Sequence, residues 1–184
     1  MNHEQLWAPW RLGYIQGEKV APPEPASELR WLDGADRACF ICRSVAEDRD
    51  RENLLVLRGE LAVTILNRFP YNNGHLLVAP KRHAGRLDEL TASEHSELMA
   101  ALSQMILRLE ERMNAEGFNV GLNLGRLAGA GLPGHLHWHI VPRWNGDTNF
   151  MPTLAGIKVI PQSLESLWEL LTPSGHSAEA SRPS

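Results

Sequence analysis

The chain has 184 residues, 43% hydrophobic and 22% charged, the balance of one ordinary globular domain with a sizeable core and not of a disordered chain. A formal net charge of −4 excludes a generally basic, nucleic-acid-coating surface and still allows a local anion pocket. No apolar run approaches the roughly 18 residues of a membrane span; Met1 to Gln5 carry neither a basic nor an apolar leader pattern, so the expectation is a cytoplasmic protein without a membrane partner.

Residues 1–35 read as an irregular arm, with Trp7, Trp10, Tyr14 and Trp31 around the stretch Ala21-Pro22-Pro23-Glu24-Pro25. Aromatic density of this kind predicts that the arm packs, either on its own core or on a partner subunit. Asn53–Leu57 and Leu61–Leu66 are short apolar runs around Arg58-Gly59-Glu60 and read as a hairpin. His75–Ala79 is a further strand, closed by Pro80. Thr91-Ala92-Ser93-Glu94 has capping-box spacing and opens a long helix, with Leu98, Leu102, Met105, Ile106, Leu109 and Met113 as its apolar stripe. Gly117 is expected to end that helix, ahead of a strand over Phe118–Leu124. A glycine-rich loop and a last strand from His135 to Val141 follow, then a short helix over Leu164–Leu171 and a small, polar, flexible tail over 172–184. Consecutive strands with one long helix predict an α+β domain over 36–171, its largely antiparallel sheet carrying helices on one side.

The chemistry concentrates in His135-Leu136-His137-Trp138-His139. On a strand these three imidazoles share one face at roughly 6.6 Å spacing, and Leu136, Trp138 and Ile140 point to the core. Three buried imidazoles without a purpose would be costly. The row fits either zinc chelation or a nucleophilic imidazole flanked by orienting and proton-handling neighbours. Just upstream, Gly125 to Gly134 includes Gly129 and Gly131, whose backbone amides can approach phosphate oxygens closely. A catalytic metal would not require that loop, and the pairing points to phosphorus chemistry. Attack by imidazole nitrogen on phosphorus gives an adduct whose nitrogen remains a good leaving group. A second constellation is Cys39-Phe40-Ile41-Cys42. Two cysteines cannot form a disulfide framework; their spacing suits a metal knuckle, a redox pair or two buried thiols.

His-Leu-His-Trp-His-Ile-Val resembles the signature of the histidine triad superfamily. The chain is most similar to the bacterial diadenosine-tetraphosphate phosphorylase branch, through Leu6-Trp7-Ala8-Pro9-Trp10-Arg11, Leu66-Asn67-Arg68-Phe69-Pro70-Tyr71-Asn72, Gly117 to Gly125, Pro142 to Phe150 and Lys158 to Gln162. The resemblance implies a histidine-triad-like fold and a nucleotidyl transferase or hydrolase working through a nucleotidyl-histidine intermediate. His137 would be the nucleophile, His139 would contact or orient the phosphate, and His75 would support the triad. Asn67 would lie near the ribose, and Asn123 on the strand bordering the phosphate. Where many hydrolytic relatives carry glutamine or serine before the triad, this chain has Ala130, Gly131 and Leu132. The resemblance further implies a structural zinc held by Cys39, Cys42, His83 and His135, no organic cofactor, a small-molecule nucleotide substrate, and a homo-oligomer of two or more subunits. A hydrolase of nucleoside phosphoramidates or related nucleotides such as a nucleotide sugar is the rival activity, and a nucleotide-binding module with little turnover is the rival of another class.

Overall fold

Two short apolar runs pair around Gly59 as expected, giving β1 (Leu55–Arg58) antiparallel to β2 (Ala62–Leu66). A bulge between Leu55 and Leu57 shifts their register. The amides of Leu61 and Ala62 both donate to Glu97 Oε1, at 2.8 and 2.9 Å, so the turn is capped from a neighbouring helix. β3 (Leu76–Pro80) pairs with β2 over its whole length, Ala62 to Pro80 and Leu66 to Leu76. With β4 (Gly117–Leu122) and β5 (Trp138–Arg143) the sheet runs β1-β2-β3-β5-β4, every neighbour antiparallel. The computed structural model describes residues 29–148, Met151 and 159–173. Most of the aromatic arm, nearly all of the polar tail and the motif residues Asn149, Phe150 and Lys158 lie outside the described residues.

Among the described residues, three complete α-helices accompany the sheet. α1 (Phe40–Ala46) is too short to show a hydrophobic period, and sequence periodicity did not predict it. Its cap is unusual: Cys39 is the N-cap, and Cys42 N–H donates to Cys39 Sγ at 3.5 Å. α2 (Ala92–Met113) starts at the predicted capping box, in which Thr91 Oγ1 accepts the Glu94 amide and Glu94 accepts the Thr91 amide. Leu98, Leu102, Met105 and Leu109 are buried, while Ile106 and Met113 are half-buried at the edge of the same core. The helix stops earlier than Gly117. Asn114 adopts the left-handed conformation at φ 50°, and the Ala115 amide reaches back to the Leu109 carbonyl. Asparagine tolerates that conformation, which frees Gly117 to open β4 instead. α3 (Leu164–Leu171) forms where expected, buries Leu167 and Leu171, and donates from Trp168 Nε1 to the Leu55 carbonyl at 2.9 Å. Among the described residues no helix is long and apolar enough to cross a membrane.

The last strand also differs from expectation. Pairing starts at Trp138, opposite Val78 and Leu122, not at His135. β3 ends in Pro80, which has no N–H to offer a further rung. The chain before Trp138 turns away, and the Leu136 amide donates to the Ala84 carbonyl at 2.7 Å. His135 and His137 therefore precede the ladder, and His139 alone of the three lies within it.

Candidate active site and metal centre

The departure from the ladder separates the three histidines. His135 swings beneath β3, where its Nε2–H donates to the Pro80 carbonyl at 2.8 Å. That bond leaves the Nδ1 lone pair bare, and Nδ1 lies 3.3 Å from Cys39 Sγ, 3.5 Å from Cys42 Sγ and 3.2 Å from His83 Nδ1. Cys42 Sγ is 3.3 Å from His83 Nδ1, and all four donor atoms lie within 4.8 Å of one another. One nitrogen lone pair cannot hydrogen-bond three partners at once, so the set converges on a common point. A tetrahedral ion with two sulfur and two nitrogen ligands has ligand–ligand edges of ~3.3–3.8 Å, close to the separations found. Burial pushes the Cys39 thiol up to about 12 and holds the His135 imidazole down at about 4, so a cation entering here would displace the Cys39 proton and meet a neutral His135. Although a helix starts at the Cys-x-x-Cys segment, as a redox pair would require, no strand precedes it among the described residues and two imidazoles complete the set.

His139 belongs with His75 to a separate hydrogen-bonded chain whose proton positions follow from one backbone amide. Tyr71 N–H can only donate, and it points at His75 Nδ1 at 3.0 Å. His75, fully buried, must then carry its proton on Nε2 and donate it to His139 Nδ1 at 2.9 Å. His139 in turn keeps its proton on Nε2, an atom shielded from solvent that has no partner among the described residues. Burial, with His137 alongside, holds the His139 imidazole down at about 4, so it stays neutral. His137 shows the opposite tautomer. Its Nδ1–H donates to the His135 carbonyl at 2.8 Å, leaving an Nε2 lone pair. The two rings meet edge to face with centroids 5.1 Å apart, which sets a bare ring nitrogen beside an N–H donor with no partner among the described residues. The HIT domain family matches residues 49–146, just over half of the chain.

The chain belongs to the HIT family. A Mycobacterium tuberculosis protein named AP-4-A phosphorylase is 40% identical over 176 residues, covering 91% of this chain and 82% of that protein. A zinc-bound histidine triad family protein of Mycobacterium smegmatis has a similar structure, with TM-score 0.51 and 32% identity over 64% of this chain and 80% of its own. A hypothetical histidine triad nucleotide-binding protein of Sulfolobus tokodaii gives TM-score 0.58 at 28% identity, over 72% of this chain and 89% of its own.

Within this HIT fold the remaining candidate residues are distributed unevenly. Asn67 Nδ2 lies 3.2 Å from His75 Nδ1 and its Oδ1 accepts the Phe69 amide, so its side chain already serves the histidine chain. Asn123 is half-exposed, one residue past the Leu122–Trp138 rung at which the β4–β5 pairing ends. Gly129 has φ +85°, which suits glycine alone, and its amide closes a short 3-10 turn onto the Arg126 carbonyl. Gly131 is exposed in the loop that follows. The loop packs closely at Gly85, where a Cβ would come within 3.1 Å of the Pro133 carbonyl. Two arginines that follow β3 are engaged in ion pairs: Arg82 with Glu94 and Arg86 with Asp88. His95, near the start of α2, is half-buried and its Nε2 contacts the Leu87 carbonyl. Sequence reasoning missed Tyr71, whose backbone amide sets the tautomers and whose ring lies 5.8 Å from that of His139. A backbone donor leaves no signature in residue type.

Proposed function

We propose that this HIT protein is a nucleotidyl-transferring enzyme acting on dinucleoside polyphosphates, in the manner of a diadenosine-tetraphosphate phosphorylase. The observation that carries the reading is the bare Nε2 of His137 beside the unpaired Nε2–H of His139. His137 Nε2 attacks the α-phosphorus, the N–P bond forms, and the P–O bond to the leaving nucleotide breaks. The positive charge on the imidazole is supported by the His135 carbonyl that accepts its Nδ1–H. His139 Nε2–H and amides of the glycine-rich loop around Gly129 and Gly131 stabilise charge on the phosphoryl oxygens. An oxygen of inorganic phosphate then attacks phosphorus, the N–P bond breaks, and His137 is regenerated. Asn67 and Asn123 flank the nucleotide.

Phosphate as acceptor is supported by the 40% identity to the mycobacterial AP-4-A phosphorylase. The loop supports a polyphosphate over a phosphoramidate: Ala130, Gly131 and Leu132 offer no acidic side chain. An amine must be protonated to leave, whereas a nucleoside polyphosphate leaves already ionised. Cys39, Cys42, His83 and His135 would hold a structural zinc, whose role is to brace the segment presenting His137. A cytoplasmic setting suits two free thiols. The domain proper would run over 36–171, and assembly as a homodimer or larger would use the outer strand β4, which exposes Val120.

Product analysis tests the reading. Diadenosine tetraphosphate is incubated with and without inorganic phosphate, and nucleotides are separated by chromatography. ATP plus ADP formed only with phosphate is the expected result. ATP plus AMP without phosphate would make the protein a hydrolase, and no product in either case would refute the assignment in favour of a phosphoramidase or a binding module.

A further inference from the structure

Two motifs that the reaction above leaves without a role meet in the fold: Asn72, in the turn before β3, and Asp147, beyond the end of β5. The turn carries both Tyr71, whose amide fixes the tautomer of His75, and His75 itself. Its own backbone closes it only locally, through Asn67 N–H to the His75 carbonyl and His75 N–H to the Asn72 carbonyl. The β3–β5 ladder has three rungs, ending at Leu76 opposite Ile140. Two residues further along β5, the Pro142 carbonyl is taken by a side chain: Asn72 Nδ2 donates to it at 2.9 Å. Asn72 Nδ2 also donates to Asp147 Oδ2 at 2.9 Å, which accounts for both amide hydrogens of a residue that is 5% exposed. The Asp147 carboxylate, itself largely buried, is shared with the Arg143 guanidinium, the Trp144 amide and the Thr148 hydroxyl. Arg143 continues to Asn119 Oδ1 on β4 at 3.0 Å.

Resting on the reading of His137 and His139 as the reacting pair, we infer that Asn72 and Asp147 are positioning residues that lock the His75-bearing turn to the His139-bearing strand. The lock keeps the Tyr71 amide on His75 Nδ1 and the His139 proton on Nε2. Asn67 shares the same lone pair of His75, but a side-chain amide can rotate to offer oxygen instead, whereas a backbone N–H cannot. The neighbouring Asn73 ties the turn to Gln162 at 2.6 Å, ahead of α3. That tether makes no bond to β5, so Asn73 is the natural control.

The test compares Asn72→Ala, Asp147→Asn and Asn73→Ala in the full chain, with histidine labelled at nitrogen. Long-range proton–nitrogen spectra read the tautomer of His139 without any substrate, and steady-state kinetics on diadenosine tetraphosphate give kcat and KM. Asn72→Ala and the nearly isosteric Asp147→Asn are expected to average the His139 nitrogen signals. They should also lower kcat on the order of ten- to a hundredfold, with KM within about threefold. Asn73→Ala should keep the parental spectrum. The inference is overturned if the first two variants retain a single Nε2–H tautomer, or if Asn73→Ala causes the same averaging. A lower melting temperature with unchanged His139 signals would also overturn it, as a purely structural role. If the parent protein turns over no dinucleoside polyphosphate, the proposed function fails, and the nitrogen spectra still decide the lock.

Discussion

His75 Nε2 and His139 Nδ1 stand 2.9 Å apart across the β3–β5 pair, and the Tyr71 amide behind them decides which ring carries the shared proton. Because that amide cannot accept, the pair has one neutral arrangement, and its outward end is an N–H donor. His137, held by a carbonyl instead of an amide, ends in a lone pair. A backbone donor and a backbone acceptor thus give adjacent imidazoles complementary roles.

Replacing His137 removes the lone pair together with one local hydrogen bond, to the carbonyl of His135, and leaves the sheet pairing in place. His137→Ala is expected to lower kcat by roughly three or more orders of magnitude, with a far-ultraviolet circular dichroism spectrum like that of the parent. Activity above about a tenth of the parent's would remove His137 from the nucleophile role.

The His139 imidazole, held down at about 4 by burial and by its neighbour His137, remains neutral throughout the ordinary working range. Its unfolded value is about 6.5, so this group costs no stability above that pH. It makes the fold progressively less stable as pH falls from about 6.5 to about 4, since the unfolded chain takes up the proton first. His139 nitrogen shifts should be constant from pH 8 to pH 5; a midpoint near 6.5 would contradict the buried, undercharged setting.

A metal held by the Cys39, Cys42, His83 and His135 set would brace a junction of three segments, and its removal is expected to destabilise that junction. Cys39, Cys42, His83 and His135 tie the start of α1, the exit of β3 and the approach to β5 together. Chelation, or Cys39→Ser, is expected to lower the melting temperature by roughly 10 °C, as loss of a few kcal/mol would do in a domain of this size. Elemental analysis should find about one equivalent of zinc in the untreated protein. A purified protein free of metal and equally stable would dismiss the site.

Glu94 carries a different pH dependence. Hydrogen bonds from Arg82 Nε and Nη2, with help from the Thr91 amide, hold its carboxyl down at about 2, below the roughly 4.3 of an unfolded chain. The stability it contributes is therefore full above about pH 5 and lost as pH falls toward 2. Glu94→Gln should be less stable near neutrality and show a shallower acid limb in denaturant titrations from pH 5 to pH 2.5. Equal slopes for the two proteins would rule out Glu94 as a source of that limb.

Much of this molecule is readable from local chemistry. The Thr91–Glu94 box, the stripe from Leu98 to Leu109, the hairpin about Gly59 and α3 each rest on contacts between near neighbours, and their residue types carry the signal. The histidine row announced chemistry because three alternating imidazoles do not make a core. What sequence could not divide was the labour within the row. Alternation treats His135, His137 and His139 alike, but Pro80 ends the ladder early and sends His135 to the cysteines. The tautomers depend on Tyr71 N–H and the His135 carbonyl, backbone groups that every residue has and that acquire direction only when distant strands set them against a ring. Residue identity supplied the reactive groups; tertiary structure decided which nitrogen of each ring is bare and which holds the proton, because hydrogen-bond direction is a property of placement and not of composition.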